Sequence, residues 1–340
     1  MFNKLHRFAS RASHEFVQSV MSGFRRFHGK ALTGAHAEPA MAAPLANAEC
    51  DGRVHPQFAQ SGSNSAGAPP AGSEPVAEQW FRDRFDYAAS VVETWLRPEI
   101  DLQNAALLDF GCGDGVTDLG VALKCRPRTI TGVDITSKFD HLPGVAESQI
   151  GLKKLPGNLS FRCIEKGHRL AGTMQADAIF SWSTFEHIDR RVLHAIVADL
   201  FDLLPPGGLF FMQIEPLYYS PFGSHLRRFI QQPWAHLLWD EQVLKQTVLD
   251  FAGDIPGSEK DTLFANRDFA DYKMFIFRAF ESLNKLTANE ICSLFLMQGF
   301  EIIREERHKV SQPVPQSLLS KYPEEDLLTN EICLLLRKPH

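Results

Sequence analysis

Cysteine is scarce and scattered in this chain: Cys50, Cys112, Cys125, Cys163, Cys292 and Cys333 are six among 340 residues, and none forms the Cys-x-x-Cys or Cys/His spacing of a zinc site. That argues against a zinc finger or ribbon and fits the reduced, mostly buried thiols of a cytosolic protein. No apolar run approaches the ~20 residues needed to cross a bilayer, and the N-terminus lacks the unbroken apolar stretch of a secretory signal. The expected location is therefore cytoplasmic. A basic excess is missing too: 35 Lys and Arg stand against 41 Asp and Glu, a formal net charge of -6, which disfavours nucleic acid as a partner.

What is present is unevenly distributed. In residues 1–30, Phe2, Leu5, Phe8, Ala12, Phe16, Val20, Phe24 and Phe27 recur three or four apart, with Lys4, Arg7, Arg11, Arg25, Arg26 and Lys30 between them. This is a basic amphipathic helix pattern, suited to peripheral contact with an anionic membrane, to a partner, to organelle targeting, or to packing on its own domain. Residues 31–76, rich in Ala, Gly, Pro and Ser, read as a disordered linker. From residue 77 the pattern is globular, and the length suits one catalytic domain with additions.

Short apolar runs at 105–110, 129–133, 159–164, 176–181 and 209–214 predict strands. Helical patterns fall between them, one of them at 191–204, where Leu193, Ile196, Val197, Leu200 and Leu203 share a face. Alternating strands and helices predict an α/β fold with a parallel sheet covered on both faces. After a capping box at Thr287 and Glu290, runs at 300–304 and 332–336 predict an antiparallel pair at the sheet edge.

The chemistry gathers at the end of the first predicted strand. Asp109-Phe110-Gly111-Cys112-Gly113-Asp114-Gly115 lets the backbone approach a ligand closely, and the following helix start offers free N–H groups. The dinucleotide fingerprint needs its third glycine where this chain has Val116, so a nicotinamide cofactor is disfavoured. Asp134, at the end of the second predicted strand, is placed to accept hydrogen bonds from ribose hydroxyls.

These segments, with Gly132-Val-Asp134, Ala176–Ile188 and Leu203-Leu-Pro-Pro-Gly-Gly-Leu-Phe210, resemble the successive motifs of class I S-adenosylmethionine-dependent methyltransferases with a type 11-like core. The resemblance implies a Rossmann-like seven-stranded sheet with its last strand inserted antiparallel, and S-adenosyl-L-methionine as cofactor. It places Asp109, Phe110, Gly111, Cys112, Gly113, Asp114 and Gly115 around the methionine moiety, Asp134 on the ribose and Ile135 on the adenine. Glu165 stands for the adenine-contacting acid of relatives, and Ser181 to Thr184, with Ser183 among them, border the methyl group. Relatives that bind a divalent metal carry Glu-x-x-Glu-His; Ser183-Thr-Phe-Glu186-His187 lacks the first carboxylate, so no metal is expected.

Methyl transfer is an in-line displacement served mainly by alignment of the reactants, with a base adding about 10²- to 10⁴-fold. The candidate bases are His225, in the long loop after the fifth predicted strand, then His187 and Glu186, with a near-neutral pKa expected for His225. Tyr218, Tyr219 and His225 are the candidate acceptor contacts. Residues 216–285 hold thirteen aromatics in seventy positions, against 11% over the whole chain, which suggests a helical cap over the cofactor mouth. The expected organisation is a core at 77–215, the cap at 216–285 and a C-terminal unit at 286–340. The expected function is methyl transfer, principally to an oxygen, on a small-molecule, lipid-linked or glycan acceptor; the alternative is a catalytically silent cofactor-binding scaffold.

Overall fold

The computed structural model describes residues 77–255 and 267–340, so the basic amphipathic helix expected over 1–30 and the linker expected over 31–76 lie outside the described residues. The first helix, α1, runs in three parts: α-helical Gln79–Arg82, a π-helical stretch Asp83–Ala88, and α-helical Ala89–Leu96. Its apolar residues reach the core on one side, and it ends before Pro98, whose ring disfavours a helical residue ahead of it.

Strand β1 (Ala106–Phe110) leads through the glycine turn into α2 (Val116–Lys124), then β2 (Thr129–Asp134), α3 (Leu142–Ile150), β3 (Leu159–Cys163) and β4 (Ala178–Trp182). Helix α4 (Arg190–Leu203), capped by the Asp189 carboxylate on the Arg191 N–H, returns the chain to β5 (Leu209–Ile214). The segment between β5 and the C-terminal unit contains α5 (Ala235–Leu238), α6 (Glu241–Asp250) and α7 (Phe269–Glu281). Helix α8 (Ala288–Gln298) opens on the expected capping box of Thr287 and Glu290 and stops at left-handed Gly299. Strand β6 (Glu301–Lys309), the short helices α9 (Gln316–Leu319) and α10 (Glu324–Leu328), and β7 (Thr329–Arg337) follow.

The seven strands form one sheet in the order β3-β2-β1-β4-β5-β7-β6, with β7 antiparallel to both neighbours and the other described pairings parallel. The last two strands form the antiparallel pair expected at the sheet edge, with β6 outermost and β7 inserted between β5 and β6, as the resemblance implies. The unbroken apolar run of β7 explains this, because a strand covered on both faces gains from apolar residues at every position. Charged β6 suits the edge.

Alternation along β5 divides the core. Leu209 and Phe211 face α1 together with Leu107, Ile130, Phe180 and Leu335. Phe210, Met212 and Ile214 face α4 and α8 with Leu108, Ile179, Leu334 and Leu336. Each such buried side chain contributes roughly 1.5–3 kcal/mol against exposure. Apart from both faces, Leu226, Phe229, Ile230, Leu244, Val248, Tyr272, Ile276 and Phe277 form a separate cluster within the segment after β5. Much of the aromatic richness of that segment is therefore its own core. Cys112, Cys125, Cys292 and Cys333 are free and buried, as expected.

Candidate functional site

The site lies beyond the C-terminal ends of β1, β2, β4 and β5, where an open parallel sheet of this kind presents its ligand crevice. The turn after β1 is fixed by backbone bonds from the Gly111 and Cys112 N–H groups to the Val133 carbonyl, and by the Gly113 N–H to Asp134 Oδ2 at 2.9 Å. Gly111, Gly113 and Gly115 have φ of +86°, +57° and +76°, a region that L side chains rarely occupy. A Cβ on Gly111 would sit 2.2 Å from Thr184 Cγ2, and one on Gly115 would sit 2.6 Å from Phe161 Cζ. On Gly113 it would meet nothing within 4 Å, so this position faces open space beside the α2 N-terminus. That cradle fits a small ligand with carboxylate or hydroxyl groups.

Asp134 holds the turn as much as it faces a ligand: Oδ1 accepts from the Thr136 N–H and hydroxyl, and Oδ2 from Gly113. A carboxylate has about four acceptor positions, so about one remains open to a ribose hydroxyl. Ile135 is 44% exposed next to it, and Glu165 is exposed after β3. Asp114 accepts from the Val116 N–H and lies 3.8 Å from the Arg84 guanidinium. Cys112 is buried, and burial pushes its thiol well up. Asp109 is not open to the crevice. It is 1% exposed, beneath the turn against Asp118 of α2, and burial pushes both carboxyls up, Asp109 to about 7. Burial and the neighbouring like charge both oppose ionising the two carboxyls together.

The end of β4 is tied to the same turn. Ser181, expected at the methyl group, is 1% exposed and donates to the Phe110 carbonyl at 2.7 Å, while Thr184 donates to the Gly111 carbonyl at 3.1 Å. Ser183, at φ +45°, bonds to Gln213 Oε1 of β5. These hydroxyls fix the two loops against each other.

A short 3-10 turn, Phe185–His187, then presents Glu186 and His187, and Asn284 clamps it with bonds to the Phe185 and Ile188 carbonyls. Asn284, 7% exposed, was not singled out by the sequence; the adjacent capping box marks the helix start but not a buried amide. His225 comes from the loop after β5 in the left-handed region at φ +60°, and its ring centroid is 5.2 Å from that of His187. The two histidines, competitors in the sequence, are neighbours in space.

Both carboxylate oxygens of Glu186 and Nε2 of His225 are buried without a hydrogen-bond partner. Burial pushes Glu186 up to about 8. His225 is pushed down to about 3, first by burial and then by His187 and Arg228, which overturns the near-neutral value expected of it. It stays neutral at physiological pH but is a weak base. His187 is also held down, by burial and then by Lys138. A cavity of about 10 Å³, room for roughly one water-sized body, is lined by Glu186, Pro216, Tyr218, His225, Asn284 and Lys285, among others. Tyr218 thus shares the cavity with His225, whereas Tyr219 packs on Tyr322 at 5.4 Å.

Among known proteins, a methyltransferase domain family matches residues 80–305, most of the described chain. No curated protein shows significant similarity. Similar solved structures include a putative methyltransferase of Haloferax volcanii in complex with the Trm112 methyltransferase activator, at 13% identity over 76% of this chain and 98% of that one, TM-score 0.40. A putative S-adenosylmethionine-dependent methyltransferase of Listeria monocytogenes matches at 13% identity over 74% and 100%, TM-score 0.41. The magnesium protoporphyrin IX methyltransferase of Synechocystis, with S-adenosylhomocysteine bound, matches at 14% over 76% and 85%, TM-score 0.42. At these scores the likenesses accompany the assignment without carrying it; the family match and the strand order found above carry it. The chain belongs to the methyltransferase domain family and is a class I S-adenosylmethionine-dependent methyltransferase.

Proposed function

We propose that this enzyme methylates an oxygen of a small-molecule, lipid-linked or glycan acceptor. The observation that carries the reading is the convergence of Glu186, His187 and His225 beside a half-buried tyrosine, Tyr218, next to the loop that Thr184 ties to the glycine turn. S-adenosyl-L-methionine supplies the activated methyl group. Gly113, the α2 N-terminus and Asp134 are the groups of this chain suited to hold it, since a Cβ at Gly113 would have open space around it. The polar cluster would orient the acceptor oxygen, and the aromatic side chains would exclude water from the crevice.

Incubation with methyl-labelled cofactor and fractionated cell extract tests this. Label is expected in an ether or ester, with one S-adenosylhomocysteine released per methyl transferred. Label found on carbon or nitrogen refutes the oxygen acceptor, and cofactor binding without release in any fraction favours a silent scaffold.

A further inference from the structure

Buried polar atoms ordinarily find partners, and those that do not ask for a reason. Such atoms occur in more than one place among the described residues, Asp118 included, but three of them fall together: Glu186 is 6% exposed with both oxygens unsatisfied, and His225 Nε2 is buried and unsatisfied beside it. His187 completes the group from the solvent side, its Nε2 4.0 Å from Glu186 Oε1. One ligand atom from each of the three lies within 4.8 Å of the others. We infer that Glu186, His187 and His225 bind a divalent first-row metal ion, zinc by preference, at the mouth of the candidate acceptor cavity.

The three donors are near enough to close on one ion. Ligands at roughly 2.1 Å from a tetrahedral ion are about 3.4 Å apart, so side-chain rotation must bring the widest pair, now within 4.8 Å, about 1.4 Å closer. His225 has the support a ligating histidine needs: its ring makes a hydrogen bond with the Pro216 backbone, while Nε2 is without a partner. A backbone bond of this kind fixes the tautomer and aims the remaining lone pair. The left-handed conformation at His225 is a further mark, since such backbone cost persists where the surrounding structure imposes it.

The donor set points to the kind of ion. Two imidazoles and one carboxylate suit zinc and its first-row neighbours, whereas magnesium and calcium prefer all-oxygen sites. Lys138 acts electrostatically on His187, and Arg228 on His225, so charge alone would hold an ion weakly and imidazole coordination must supply the affinity. Three protein ligands leave a coordination position open. That position adjoins the cavity beside Tyr218, where an acceptor oxygen would enter.

The sequence hid this site because its ligands do not follow a local metal motif. The carboxylate missing from Glu-x-x-Glu-His is replaced by His225, thirty-eight positions beyond His187 and brought in by the adjacency of β4 and β5.

The test uses the full chain, purified without a histidine tag, stripped with chelator and titrated with zinc chloride by calorimetry. One saturable site per chain is expected, with zinc raising the melting temperature. Glu186→Gln and His187→Gln should each weaken zinc binding by at least about 100-fold, since even an outer-shell partner of a ligand is worth about 10- to 100-fold. The exposed control His168→Gln should bind zinc like the parent. His187→Gln changes a half-exposed side chain, so retained S-adenosylmethionine binding in that variant certifies its fold. No saturable zinc binding in the parent, or parental zinc affinity in both ligand variants, overturns the site. Either result leaves the methyltransferase assignment standing, because cofactor binding is read separately.

Discussion

Two glycines of the turn after β1 are under different demands, and exchanging each for alanine separates structure from ligand binding. Gly113→Ala adds a methyl group to open space and costs only the left-handed backbone, about 1–2 kcal/mol. Gly111→Ala pays the same and also drives Cβ into the Thr184 side chain, an overpacking worth a further ~1–3 kcal/mol. Urea denaturation should therefore rank Gly111→Ala as the less stable variant. Calorimetry should find that Gly113→Ala loses S-adenosylmethionine affinity although it keeps most of its stability. Undiminished affinity would remove Gly113 from the cofactor site. The Asp109–Asp118 pair sets a pH dependence. Its carboxyls are raised in the folded state above the ~3.9 of an unfolded Asp, so the folded chain binds more protons and loses stability as pH rises from about 4 to about 7. The Asp118→Asn variant should match the parent near pH 4 and exceed it in stability at pH 8, a difference that thermal melts at the two pH values would show. The depressed histidines of the site slope the other way, so only the difference between variant and parent isolates the pair.

At the level of elements, the π-helical stretch of α1 has a specific neighbour. Gly120 of α2 packs so closely on it that an added Cβ would lie 2.2 Å from the Phe85 carbonyl oxygen and 2.7 Å from Ala89 Cβ. The wider π turn changes which carbonyls find partners, and Lys124 of α2 reaches over to bond the Asp86 carbonyl at 2.8 Å. Because the obstructing atoms are backbone and a short side chain, they cannot swing aside. Gly120→Ala should cost on the order of 1–3 kcal/mol despite the gain in helix propensity. A stability equal to the parent's would show that the two helices separate freely. None of this was legible in the sequence: Trp80 to Trp95 announced a helix, but periodicity does not reveal one extra residue in a turn. The strands before residue 215 were legible because each is a short apolar run between breakers. The interior position of β7 was legible through the family resemblance, and its unbroken Ile332–Leu336 run and the charged β6 beside it carry the same signal.

For the whole molecule, what could be read depended on distance along the chain. The glycine turn and Asp134 lie within one β-α-β unit, and their motif reported the fold and the cofactor together. The meeting of His187 with His225, and the clamp that Asn284 places on the Phe185–His187 turn, depend on segments separated by dozens of residues. Pattern along the chain has no access to such meetings. The placement of β7 has a consequence for the order of events during synthesis. Strands β1 to β5 can pair as they emerge, but β5 and β6 do not touch each other; both wait for Thr329–Arg337 to come between them. Until then β5, apolar at five of its six positions, shows an unpaired edge to whatever else is present. A ribosome-bound chain stopped short of residue 329 would carry a nearly complete glycine turn alongside an aggregation-prone flank, and the late non-local pairing that seals it is of the kind that slows folding and calls on chaperones.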